Sequence, residues 1–314
     1  MRNVFLVLAG WLAAVSISSP AKAAEFTVTP IEGGMAVMLD GKLFTNYLTN
    51  SVAKPILWPV IGPAGDEMTR GYPMRAATPD ERADHIHHRS FWFTHGDVNG
   101  IDFWAETPNH GKTVHREFVS VGGGPTAHIV TRNDWIGPDG KKVCEDERKL
   151  TFGTDGQARW VDFDVTVKAS EGKLTFGDTK EGAFGVRVAG TLDVDAKKGG
   201  TIVNSEGLKN AAAWGKPAKW VDYYGPLPHG TGGVAILNHP TSFRYPTHWH
   251  VRTYGLFTAN PFGLRSFQGS RDVDGGHTME KGETFTLRHR VLFHQGDAEQ
   301  AKIAEQFAKY AEQP

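Results

Sequence analysis

Four stretches of this chain gather side chains that could move protons and grip oxygen atoms. The densest is Asp84-His-Ile-His-His-Arg89, continued through Trp92 and His95-Gly-Asp97 to Trp104. Its 21 residues hold four histidines, one arginine, three acids and two tryptophans. An imidazole passes protons near neutral pH, and a guanidinium forks onto hydroxyls or a carboxylate. Core packing uses the indoles but not the imidazoles, so the stretch reads as one wall of a polar, aromatic-lined site. The bland account makes several histidines hydrogen-bonded wall residues and makes Asn99 and Asp102 turn formers. On an extended backbone, His85 and His87 share one face and His88 takes the other with Ile86. His85 and His87 could then begin a divalent-metal site, with His95, His110 or His248 as third ligand. No cysteine and no helical His pair supports a metal, so no cofactor is expected.

Asp178-Thr-Lys-Glu181-Gly-Ala-Phe-Gly-Val-Arg187 places Glu181 in a turn just before a strand, where a rigid sheet edge would project a general base. Arg187 lies on that strand, and the competing account is a solvated Lys180-Glu181 turn. Between Asn210 and Gly225, Trp214, Trp220, Tyr223 and Tyr224 sit in a Gly/Pro-broken segment that reads as a loop carrying an aromatic platform. In Thr247-His-Trp-His-Val-Arg252, His248, His250 and Arg252 alternate onto one strand face, with Tyr254 next in register. Trp249 and Val251 take the other face, towards a core. Three cationic-capable groups on one side imply a solvated or functional face.

The elements that must position these residues are mainly strands. The chain has 37 glycines and 17 prolines among short apolar runs, which reads as mostly β. Residues 114–121 and 128–135 are expected to pair, and Asp139-Gly-Lys141 to turn into 143–152. In Trp160–Val167, Val161, Phe163, Val165 and Val167 form a core face, while Trp160, Asp162, Asp164 and Thr166 form a half-polar face that could look onto a cleft. Phe285–His294 is the last long strand. Asp297 and Gln300 have capping-box spacing before a closing helix at about residues 297–312. The fold class expected is a large antiparallel β-sandwich, one domain over residues 24–314, with a short C-terminal helix.

Residues 1–23 read as a signal peptide: a basic start, an apolar run too short to span a bilayer, and Ala21-Lys-Ala23 before the cleavage point. The expected location is therefore the periplasm or the exterior of a bacterium. A net charge of −1 with interspersed signs argues against a nucleic-acid partner. Cys144 is the only cysteine and reads as a small buried residue.

Together the segments Asp84–Arg89 with Trp92, His95–Trp104, Lys180-Glu-Gly182 leading to Arg187, and Pro246–Arg252 with Asn260-Pro-Phe-Gly263 resemble DUF6807, a family once labelled "methane oxygenase PmoA". The old label fails a physical check, because such a membrane subunit needs several spanning helices and the mature chain offers none. The resemblance implies a supersandwich similar to that of galactose mutarotases. Sites of that kind pair a glutamate with histidines and an arginine, roles that Glu181, His88, His95, His248 and Arg187 could fill.

The reading that follows is an exported carbohydrate-active enzyme that cleaves or rearranges a glycosidic linkage or sugar ring of an oligo- or polysaccharide. Glu181 is its base or acid, with His88, His95 and His248 as proton-transfer candidates. Arg89, Arg187, Arg252 and His250 would hold hydroxyls or a uronate, and Trp92, Trp104, Trp214 and Tyr223 would line the ring. A two-carboxylate hydrolase would draw its second acid from Asp97. A lyase or epimerase needs one base, one acid and charge stabilisation. The alternatives are a non-catalytic sugar-binding protein and a His-ligated metal enzyme.

Overall fold

The computed structural model describes residues 23–314. The leader expected at residues 1–23 therefore lies, apart from Ala23, outside the described residues. The strands in chain order are β1 (Phe26–Ile31), β2 (Gly34–Leu39), β3 (Lys42–Leu48), β4 (Ile56–Val60), β5 (Phe91–His95) and β6 (Lys112–Gly122). Then come β7 (Ala127–Ile136), β8 (Lys142–Thr154), β9 (Ala158–Lys168), β10 (Leu174–Phe176), β11 (Gly182–Arg187) and β12 (Thr201–Asn204). The last are β13 (Trp220–Leu227), β14 (Gly230–Asn238), β15 (Trp249–Val251), β16 (Leu256–Ala259), β17 (His277–Met279) and β18 (Thr284–Gln295). Two short helices, α1 (Leu264–Gln268) and α2 (Ile303–Ala311), complete the set.

Sixteen of these strands form two eight-stranded antiparallel sheets, ordered β1-β2-β3-β4-β5-β11-β16-β15 and β12-β13-β14-β18-β9-β8-β7-β6. The expected large β-sandwich is thus present. Its core is the apolar layer between the sheets, into which strands such as β7 and β9 turn alternate side chains. Phe44 of the first sheet meets Phe152 and Phe293 of the second edge-on at 6.0 and 6.1 Å, and Phe163 lies 5.6 Å from Phe91 and 5.1 Å from Phe184. Cys144 is buried in this layer. Among the described residues no helix is long and apolar enough to cross a membrane.

β9 alternates as its sequence demands, with Val161, Phe163, Val165 and Val167 in the core. Its other face is largely covered, although Thr166 borders a recess with Arg132 and Glu147. Arg290 of β18 grips Asp162 through two bonds of 2.6 and 2.8 Å, and its guanidinium lies over both Trp160 and Tyr310 of α2. That closing helix is shorter than expected. The capping box forms, with Asp297 accepting from the amides of Glu299 and Gln300 and Gln300 accepting from Asp297. But Lys302 takes a left-handed φ of 52°, so this turn stops and the helix starts afresh at Ile303. Residues 220–225, expected as part of a loop, belong to β13 in the second sheet.

The outer face of the first sheet carries the candidate site. On β5, Phe91, Phe93 and His95 point inward, so Trp92 points out. Gly185 of β11 is paired opposite Trp92, and a Cβ there would stand 3.0 Å from the indole. On β15, Trp249 and Val251 are core and His250 is outward.

Candidate functional site

Over this outer face lies the segment Asp84–Ser90, which is a loop and not the extended strand expected. His85 has φ of 44°, and His88 closes a turn by donating its amide to the His85 carbonyl at 2.9 Å. A remote residue imposes this shape. The buried Arg70 guanidinium donates to the carbonyls of Arg82, His85 and His88 at 2.9, 2.9 and 3.2 Å, and to Asp84 at 2.8 Å. Instead of alternating, His85, His87 and His88 therefore gather on one cavity. Four rings stack in a column, Tyr254 on His85 at 5.3 Å, His85 on His88 at 4.8 Å and His88 on Trp92 at 5.6 Å, all within 14° of parallel.

The cavity holds about 380 Å³ and is lined by His85, His87, His88, Asp102, Trp104, Ala105, Lys180, Glu181, His250, Arg252 and Tyr254. A larger recess of about 560 Å³, around Ala24, Asp40, Lys42, Asp155 and Arg159, has no imidazole or aromatic wall. Chemistry favours the smaller space.

Two buried histidines in its wall have assigned tautomers. His88 Nδ1 lies 3.0 Å from Arg187 Nη1, and a guanidinium can only donate. The neutral His88 ring therefore carries its proton on Nε2, an atom that is buried and has no partner among the described residues. Burial, then the charges of His87 and Arg187, push its pKa well below the ordinary histidine range, so the ring is neutral. His250 repeats the arrangement: the Trp214 indole donates to its Nδ1 at 3.4 Å, and burial, with Lys180 and Arg252, lowers its pKa to about 3. Its proton is likewise on Nε2. His85 places Nδ1 3.1 Å from the Asp84 carboxylate. His87 is lowered to about 4, by burial and then by Lys54.

Glu181 stands in the bend before β11, as expected, and its carboxylate accepts from Lys180. Asp102 accepts from the amides of Trp104 and Ala105 at 2.7 and 3.0 Å. Among the described residues the Trp104 indole N–H is buried without a partner.

Of the residues expected at the site, Glu181, His88, His250, Arg252 and Trp104 line the cavity. Arg187, Trp92 and Trp214 stand directly behind it. Arg187 bonds His88 and Asp84, Trp92 ends the ring column, and Trp214 holds His250. The rest need correction. Arg89 is not free for substrate, because both arms clamp the buried Glu106 at 2.6 Å. His95 faces the core, stacked on Phe176 with Nε2 2.9 Å from the Gly177 carbonyl. Asp97 accepts from the Gly100 amide and shapes the turn. His248 lies beyond the end of the three-residue β15 and stacks on Phe267. Tyr223 is core, its hydroxyl supporting the Arg252 and Thr253 carbonyls from behind. None of His95, His110 and His248 joins His85 and His87, and among the described residues no group of three His, Cys, Asp or Glu is arranged to hold a metal.

Tyr254, placed by the sequence in register with His250 and Arg252, also lines the cavity. Sequence reasoning missed Lys180 and Asp102 as wall residues, and Lys54, Arg70, Asp84 and Glu106 as their supports. Lys54 was visible as a lone charge in an apolar run. It is 2 % exposed, reaches Glu106 at 3.4 Å and has its pKa lowered to about 8 by burial.

The chain belongs to DUF6807, a family of unknown function, whose model matches residues 34–308. Comparison with curated proteins gives no match. Among solved structures, the GH36 alpha-galactosidase AgaB from Geobacillus stearothermophilus is similar at 10 % identity and a TM-score of 0.34, over 87 % of this chain and 39 % of that one. A galactose mutarotase-like protein from Lactobacillus casei ATCC 334 is similar at 11 % identity and a TM-score of 0.31, over 86 % of this chain and 100 % of that one. The chain thus spans well under half of the galactosidase. Likeness at this level assigns no residue a role, and the functional argument rests on the cavity's side chains.

Proposed function

We propose that this protein is a carbohydrate-active enzyme that cleaves or rearranges a sugar by proton transfer. Glu181 is the base, and the His88 Nε2–H is the donor to the oxygen that gains negative charge. One observation carries the reading: the tautomer-locked His88, whose Nε2–H has no partner among the described residues, stands in the wall of the same cavity as Glu181. A neutral donor fixed before reaction stabilises developing charge without reorganisation. The Trp104 edge and the His/Tyr rings form an aromatic boundary, and about 380 Å³ suits one or two sugar rings. With Asp97 outside the cavity and Asp102 tied to backbone amides, one base with several donors fits elimination or rearrangement better than two-carboxylate hydrolysis. Export, inferred from the amino-terminal pattern, would place the enzyme where extracellular glycans are met.

The test is activity on plant, algal and bacterial glycans and aryl glycosides. Reducing ends, the ultraviolet absorbance of an unsaturated uronate and the configuration of the product are followed together. Absorbance or a changed configuration, lost in Glu181→Gln, supports the proposal. Reducing ends alone would return the site to hydrolysis. Glycan binding without turnover, unchanged in Glu181→Gln, would make the protein a binding module.

A further inference from the structure

Donors outnumber acceptors in this cavity. Lys180 is paired with Glu181, and one Asp102 oxygen is held by two amides. Arg252 differs. Among the described residues its guanidinium has no carboxylate within 4.0 Å and no hydrogen-bond acceptor, although it is half-buried in the wall. It is held in place by aromatic faces, 5.8 Å from the Trp214 ring and 5.6 Å from Tyr254. Such a placement orients the fork while leaving its N–H groups unspent.

His250 adds to the imbalance. It lines the cavity with Arg252, the residue that follows β15, and the Trp214 indole fixes its proton on Nε2. The same tryptophan thus touches both the arginine fork and the imidazole, which line one cavity. His88 and Trp104 stand in the same wall, and among the described residues the His88 Nε2–H and Trp104 Nε1–H are buried without a partner. Buried donors are costly until an acceptor arrives.

We propose that the ligand is a sugar acid whose carboxylate is held by the Arg252 fork together with His250 Nε2–H. This rests on the sugar-site reading above and names the substrate class within it. A carboxylate offers two coplanar oxygens to a guanidinium, matching one cation and one neutral donor. A phosphate dianion would call for a second free cation, and Lys180 is taken.

The test is calorimetric binding of glucuronate and galacturonate, beside their methyl esters, the parent hexoses and the hexose 6-phosphates. The acids should bind about ten- to a hundredfold more tightly than the esters and hexoses, and less so in high salt. Arg252→Gln should abolish the difference, and Arg252→Lys should restore part of it. The ester comparison is made on the wild-type protein and does not depend on any variant folding. Equal binding of acids, esters and hexoses, or tighter binding of the phosphates, would overturn the carboxylate assignment while leaving a sugar site. Binding of none of these sugars would remove the sugar site and the assignment together.

Discussion

Replacing His88 by phenylalanine separates its two contributions. A phenyl ring can keep the stack between His85 and Trp92, at 4.8 and 5.6 Å in the native column. It cannot accept from Arg187 or donate into the cavity. Arg187 keeps its 3.1 Å bond to Asp84, so one buried guanidinium N–H loses its partner, costing about 1–3 kcal/mol of stability. Loss of one fixed donor at the reacting oxygen should lower kcat by about 10²–10³, or about 2.7–4 kcal/mol. His88→Gln, with a carbonyl for Arg187 and an amide for the cavity, should recover part of both losses. Nitrogen NMR of labelled histidines should find Nδ1 of His88 unprotonated, Nε2 protonated and neither titrating near neutral pH. A proton on Nδ1, titration near neutrality, or full activity in His88→Phe would refute the reasoning.

Acid should weaken the fold. Burial lowers the folded pKa of His95 to about 4 and those of His250 and His289 to about 3. The unfolded chain then binds protons below about pH 6.5 that the folded one refuses. Each group costs about 2 kcal/mol at about pH 5 relative to neutral pH. His294 acts in the opposite sense, because burial lowers its pKa but the charge and bond of Asp222 raise it above the ordinary value, so its contribution is present at low pH and lost as pH rises. Urea unfolding should therefore show a net loss of several kcal/mol between about pH 7.5 and about pH 5, and a flat or inverted profile would contradict this. Glu106→Gln should cost about 3–5 kcal/mol in the same assay, because Arg89 and the buried Lys54 lose the carboxylate between them, and a loss below about 1 kcal/mol would mean the cluster is solvated.

Much of the fold was legible because alternation is local. β9, the Asp139-Gly140 turn and the outward His250 facing away from Trp249 and Val251 all follow from side-chain period and turn chemistry. The same rule applied to Phe91–His95 would have sent His95 inward with Phe91 and Phe93. Reading its proximity to the histidine loop as participation was the error. The loop itself was illegible, since its shape comes from Arg70, at least twelve residues away from each group it bonds. His248 misled for a related reason. The alternating pattern continues past the end of β15, where Phe267 of α1 packs against the imidazole. Tyr254 follows in register on the His250 and Arg252 face and does line the cavity, whereas Lys180 reads as part of a solvated turn and becomes a wall residue only where distant loops meet.

The central claim is that chemistry occurs in the cavity of Glu181 and His88 and not at the histidines beside it. Turnover of Glu181→Gln, compared with His248→Ala on the first active glycan, tests it most directly. The account predicts a fall of about 10² or more for Glu181→Gln, with His248→Ala staying within a few-fold of wild type because its ring lies outside the cavity wall. Full activity in folded Glu181→Gln, or a larger loss in His248→Ala, would contradict it.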